Sequence, residues 1–155
     1  LSLLLLLSFL GLADSWYLAQ AAMEGTALSC GIEGLDSLDG CNQVAQSAYS
    51  QLMGIPLALY GVGFYAALFT IAAILFAVPN RGLYRLTIVL SAIGFLLSLY
   101  FAFLQFFVIK ALCIYCLASV VISILIFAVT WRLWKRFSPI TVSQPEVPPT
   151  MPLAS

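Results

Sequence analysis

Apolar residues fall in long unbroken runs along this chain, not in the spaced stripes of a soluble amphipathic helix. Four runs reach the length of about 20 mainly apolar residues that a helix needs to cross a bilayer: Leu1 to about Ala22, Leu52 to Val78, Leu83 to Ile109, and Ala111 to about Trp134. Their boundaries carry turn or charge signals. Val78-Pro-Asn-Arg-Gly82 interrupts the second and third runs, since Pro and Gly both break helices, and Lys110 separates the third from the fourth. The pattern predicts an all-α membrane protein, a four-transmembrane-helix bundle with a long loop, about 19–51, between helices 1 and 2. That membrane domain covers residues 1–137. Residues 138–155, rich in Pro, Ser and Thr, lack the apolar content to bury a core and read as a disordered tail.

The first run opens on Leu1 and is already deep in apolar sequence, so the true start is expected upstream. A secretory signal competes for this segment, but its apolar core would span only about 7–15 residues. Here the apolar character continues through Trp16, Tyr17 and Leu18, which favours a membrane helix.

Composition agrees. Charged residues make up 8% of the chain, against about a quarter in a soluble domain, too few to coat a globule. The net charge of zero gives no sign of a nucleic-acid partner. With no histidine present, His-based acid–base chemistry and His metal ligation are both excluded.

The few charges orient the bundle. Arg81 and Arg85 flank the second connection, and Arg132, Lys135 and Arg136 follow the fourth run. The first connection carries Glu24, Glu33, Asp36 and Asp39 but no Lys or Arg. Basic loops stay on the cytoplasmic side, so both termini are expected there and the acidic loop on the exoplasmic side. That places Cys30 and Cys41, in the loop, on the same face as Cys113 and Cys116 at the head of the fourth helix. It is the oxidising face, where disulfides persist.

Three chemistries compete for these four cysteines. A Cys30–Cys41 bridge would close a ten-residue loop containing three glycines and suits a structural staple as well as a redox role. Cys113 and Cys116 fit a staple poorly, because a helix already fixes residues three apart. What their spacing offers is reactivity: a thiol at a helix N-terminus feels the positive end of the dipole and free N–H groups, which favour the thiolate. Zinc is disfavoured, because four-cysteine sites usually join two close pairs. No metal is expected.

Two disulfide-capable pairs on one face suggest a relay by thiol–disulfide exchange, and a relay needs a terminal acceptor. No nucleotide fingerprint exists, since Gly61-Val-Gly63 lacks a third glycine and lies within an apolar run. A quinone dissolved in the membrane fits. Gln105, an amide in the apolar run YFAFLQFFVIK, and Phe106 beside it are candidate quinone contacts, although an interhelical hydrogen bond and plain packing are their simpler roles.

The ordered set Ser29-Cys30, Cys41-Asn-Gln-Val-Ala-Gln-Ser47-Ala-Tyr, Gly54-Ile-Pro-Leu-Ala-Leu-Tyr-Gly61 and Cys113-Ile-Tyr-Cys116 resembles the vitamin K epoxide reductase family in its bacterial-type branch. The resemblance implies that Cys116 stands next to a quinone such as ubiquinone or menaquinone, and that Cys113 exchanges with Cys41. Cys30 completes a loop pair reduced by a thioredoxin-like partner on the exoplasmic side. Ser47 matches the family's Ser or Thr near the quinone and the active thiols. A bacterial inner membrane is the implied location. Vertebrate members have a Tyr where this chain has Val120 and an Asn near Leu57, differences that argue against vitamin K epoxide as substrate. Some bacterial members continue into a fifth helix and a thioredoxin-like domain. Here the partner is expected as a separate protein, or as sequence beyond residue 155. Other bacterial quinone-linked disulfide oxidases place CxxC in the first exoplasmic loop and the wider pair later, the reverse of this order.

The expected activity is therefore quinone-dependent disulfide formation. The alternative is a non-catalytic membrane scaffold or a small transporter with structural disulfides. A transporter would be expected to carry ionisable groups in mid-span, and the four spans are read as free of them.

Overall fold

The computed structural model describes residues 1–26 and 40–137. Cys30, the middle of the acidic loop and the tail from 138 onward lie outside the described residues. Four helices are long and apolar enough to cross a membrane, as the hydrophobic pattern predicts: α1 (Ser2–Glu24), α3 (Leu57–Ala77), α4 (Arg81–Phe103) with a π-helical extension (Leu104–Ile109), and α5 (Ile114–Phe137). A short helix, α2 (Cys41–Ala45), and a single 3-10 turn (Ala48–Ser50) follow the undescribed part of the loop. Next comes a two-residue hairpin, β1 (Gln51–Leu52) with β2 (Ile55–Pro56), and α3 begins directly after it.

Local chemistry sets the ends. α1 stops where Gly25 turns left-handed, at φ 62°, a conformation that costs glycine little. α4 starts at an Asn80 cap, whose side-chain oxygen accepts from the Gly82 N–H at 2.7 Å. Lys110, at φ 55°, closes the π segment. The second span begins five residues later than the apolar run suggests. Met53 and Gly54 both take positive φ, 55° and 78°, so the chain makes a tight antiparallel turn. The turn spends Leu52 and Ile55 on strand pairing before the helix can start.

α1 packs on α3 and α5, and α4 closes the ring against α5 and, less closely, α3. In lipid, apolar burial does not drive helices together; small residues and interhelical hydrogen bonds do. The tight contacts here are of that kind. The Tyr65 ring lies against Gly11 of α1, and its hydroxyl crosses the bundle to Ser119 Oγ at 2.9 Å and Ser123 Oγ at 3.1 Å on α5. Ser98 donates to Ser123 at 2.9 Å, and Ser91 pairs with Thr130 at 2.8 Å, which locks α4 to α5. Leu4, Leu68, Ala72 and Ile126 fill the core between. Large apolar side chains such as Phe76, Leu96 and Phe107 face outward, the surface expected of a bundle solvated by lipid tails. The protein is a multi-pass integral membrane protein.

One expectation is corrected. The spans are not free of ionisable groups: Asp14 sits in the middle of α1. A single acid does not break an apolar run, so hydropathy alone passes over it.

Candidate functional site

Cys113 directly precedes α5 and occupies its N-cap position, with its carbonyl accepting from the Leu117 N–H at 3.0 Å. Caps are ordinarily Ser, Thr, Asp or Asn, whose side-chain oxygen accepts from the second or third helical N–H. Here sulfur does that work: the Cys116 N–H donates to Cys113 Sγ at 3.4 Å. The Cys113 thiol is held below its ordinary value, first by a hydrogen bond from the Cys116 side chain and then by the backbone N–H groups of Cys116 and Tyr115. Burial and the charge of Asp14 oppose that shift. The CxxC spacing is therefore a capping geometry, which puts the second cysteine where its N–H and its thiol both reach the first.

The π-helical end of α4 supplies the other half of the cap. It turns Gln105 into the bundle, where the residue is buried, and the Cys113 N–H donates to its Oε1 at 3.1 Å. A backbone N–H only donates, so the acceptor is the carbonyl oxygen, and the amide NH2 is the end left for another partner. π segments are frequent at functional sites. The neighbouring Phe106 is 53% exposed and outside the lining of the cavity described next.

α2 delivers the third sulfur. Gly40 lies so close to the segment before α5 that its N–H donates to the Leu112 carbonyl at 3.2 Å. A Cβ there would meet the Leu112 nitrogen and the Ala111 side chain at 2.8 Å. This approach buries Cys41 and Cys113 in one cluster with Leu18, Ala21 and Val44 around them. Cys41 is disulfide-bonded, whereas Cys113 and Cys116 are free thiols. Among the described residues, no group of His, Cys, Asp and Glu has the arrangement of a metal site.

All three sulfur residues line a cavity of about 350 Å³ bounded by α1, α3, α4 and α5, with α2 and the hairpin adding to its wall. This is within the usual size of a small-ligand site. Its wall is mainly apolar, with Leu57, Phe64, Leu97, Phe101 and Val120 prominent, and its polar groups sit at two levels. Near the cysteines are Gln105 and Ser47; deeper are the hydroxyls of Tyr65, Ser98, Ser119 and Ser123. The Ser47 hydroxyl donates to the Val44 carbonyl at 2.7 Å, so its proton is engaged in ending α2 and only its lone pairs face outward. The sequence reading picked out Gln105 and Ser47 but not Tyr65 or the serines. The signal was present, as Ser119 and Ser123 recur at i, i+4 in an apolar helix with Cys116 three residues earlier.

The sequence matches the model of the vitamin K epoxide reductase family over residues 2–131. No curated protein matches it.

Proposed function

The chain belongs to the vitamin K epoxide reductase family, whose members are thiol–disulfide oxidoreductases that use quinones, and on that premise we propose that it oxidises exported dithiols at the expense of a membrane quinone. The observation that carries this reading is the convergence of Cys41, Cys113 and Cys116 on one apolar cavity.

In this scheme a thioredoxin-like partner reduces the Cys30/Cys41 pair. The Cys41 thiolate attacks Cys113 of an oxidised Cys113–Cys116 bridge, forming a Cys41–Cys113 mixed disulfide and releasing the Cys116 thiolate. Cys30 then attacks Cys41, restoring the loop disulfide and releasing Cys113 as a thiolate. The N-cap geometry makes Cys113 a good leaving group, because a stabilised thiolate departs readily. The resulting Cys113/Cys116 dithiol loses two electrons and two protons as its disulfide re-forms, and the quinone, a two-electron acceptor, becomes a hydroquinone. The described cysteines have the pairing expected just before that last step: Cys41 oxidised, Cys113 and Cys116 reduced.

Cys116 stands in the cavity wall and is the sulfur assigned to face the ring. Gln105 NH2 is the donor placed to hold a ring carbonyl near Cys116. Ser47 contributes lone pairs at the loop side, and Phe106 stands outside. Leu57 and Val120, also in the wall, are apolar and give a ring no hydrogen bond. This favours a plain quinone over vitamin K epoxide. The loop is assigned to the exoplasmic side of a bacterial inner membrane, with both termini cytoplasmic.

Dithiol-driven reduction of a short-chain ubiquinone by the protein in nanodiscs tests the proposal. Wild type is expected to turn over and Cys116→Ala to fall to the uncatalysed background. Unchanged turnover by the variant would leave the inert-scaffold reading standing.

A further inference from the structure

Four hydroxyls in the deep wall of the cavity have no part in the relay just described. They form a string. Ser98 Oγ of α4 donates to Ser123 Oγ of α5 at 2.9 Å, Ser123 Oγ lies 3.1 Å from Tyr65 Oη of α3, and Tyr65 Oη lies 2.9 Å from Ser119 Oγ. All four residues line the cavity, and the two in the middle of the string, Ser123 and Tyr65, are buried.

Each hydroxyl has one proton to give, so the string has a direction. Ser98 gives its proton to Ser123, and Ser123 gives its own to Tyr65. The phenol proton then goes to Ser119 Oγ, which is nearer than the Ser119 carbonyl at 3.3 Å. That leaves the Ser119 proton over, since Ser119 Oγ bonds Tyr65 alone among the described residues. The other hydroxyl pair between α4 and α5 is different. Ser91 and Thr130 meet outside the cavity, and each also reaches a carbonyl of its own helix, Ile88 and Ile126, at 2.9 Å. Such back-bonding absorbs a serine or threonine proton within the helix. Among the described residues, Ser98, Ser119 and Ser123 do not bond back in this way.

The spare donor has a specific place. Ser119 follows Cys116 by three residues, roughly 4.5 Å along the axis of α5, and both face the cavity. We propose that the Ser119 hydroxyl holds the second carbonyl of a 1,4-quinone whose first carbonyl is held by Gln105 NH2, an inference that rests on the quinone reading of this cavity. The carbonyls of a 1,4-quinone point away from each other, which suits donors at two levels of one apolar pocket. A 1,2-quinone presents both on one edge and would leave one level unused. Ser119 is the residue that touches the ring. Tyr65, Ser123 and Ser98 are positioning residues, because each hydrogen bond in a string polarises the next. As the ring takes electrons, charge grows on its oxygens and a donor already in place binds them more strongly. Ser119 keeps its proton throughout.

The test uses short-chain ubiquinone, isotope-labelled at one ring carbonyl or the other, bound to the oxidised protein in nanodiscs. Infrared difference spectra read the two carbonyl stretches, and titration of the bands gives Kd. In wild type both bands are expected below their position for the quinone in lipid alone. Ser119→Ala should return one of the two to that position and raise Kd about tenfold, the loss of one hydrogen bond. Ser119→Thr, which keeps the hydroxyl, should restore both. Ser91→Ala removes a hydroxyl pair outside the cavity; it should lower the melting temperature and leave bands and Kd unchanged. A role in helix packing alone would instead make Ser91→Ala and Ser119→Ala alike. The proposal is overturned if Ser119→Ala leaves both bands and Kd at the wild-type values, if Ser91→Ala weakens binding as much, or if Ser119→Thr is as impaired as Ser119→Ala. Wild type that binds the quinone with both bands shifted but does not reduce it with a dithiol would end the relay reading and leave the Ser119 assignment standing. Wild type that turns over with no dependence on Ser119 would do the reverse.

Discussion

A sulfur atom in the cap of a helix is an unusual use of a cysteine, and it ties one residue's chemistry to the start of α5. Because the Cys116 thiol is the first of the groups that hold Cys113 low, the thiolate forms at lower pH than the ordinary value of about 8.5 for a free thiol. Alkylation of Cys113 in the reduced protein should therefore reach half its maximum rate below that pH, and Cys116→Ala should move the midpoint up. A midpoint unaffected by that change would remove the Cys116 thiol from the explanation. Gln105 acts on the same group from the other side. Gln105→Leu leaves the buried Cys113 N–H unpaired, at a cost of about 1–3 kcal/mol, and should lower the melting temperature in detergent as well as quinone turnover. Much of this scale was legible beforehand: the CxxC spacing and its place at a helix start are written in the residues. Asp14 was not, because one acid among leucines leaves an apolar run intact. The interhelical hydrogen bond of Gln105 was an expected role and is present, whereas the π turn that carries the residue is announced by no residue pattern.

At the scale of elements, α2 matters through how closely it approaches. Gly40 permits backbone contact with Leu112, and that contact sets Cys41 against Cys113. Gly40→Ala should push α2 away, with an overpacking cost of about 1–3 kcal/mol. It should also slow exchange between the loop pair and the CxxC, measured as the rate at which a loop-specific protein donor reduces quinone. If that rate is unchanged, the contact is incidental. The four long helices were legible as runs of apolar residues, with boundaries good to a few positions. The hairpin at Gln51–Pro56 was absorbed into the second run, because its residues are as apolar as those of a helix. Only the positive φ of Met53 and Gly54 separates the two.

For the whole molecule, the basic residues of α4's start and α5's end lie at the opposite end of the bundle from the cysteines, as the antiparallel helix order requires. With cytoplasmic basic loops, an impermeant maleimide should label Met53→Cys from the exoplasmic side and Asn80→Cys only from the cytoplasmic side, in a background lacking the native cysteines. The reverse pattern would place the site on the reducing face and end the disulfide-forming account. The four-span arrangement followed from hydropathy, whereas the cavity takes side chains from all five helices, which no single stretch of sequence brings together. The central claim is that electrons cross between the two cysteine pairs through Cys41 and Cys113. It is tested most directly by acid-quenched thiol trapping and mass-spectrometric disulfide mapping of the Cys116→Ala protein. With Cys116 absent, the Cys113 thiolate should attack the loop disulfide, and a Cys41–Cys113 cross-link should accumulate. A Cys113 that stays a free thiol beside an intact loop disulfide, under every donor and quinone condition, would contradict the relay.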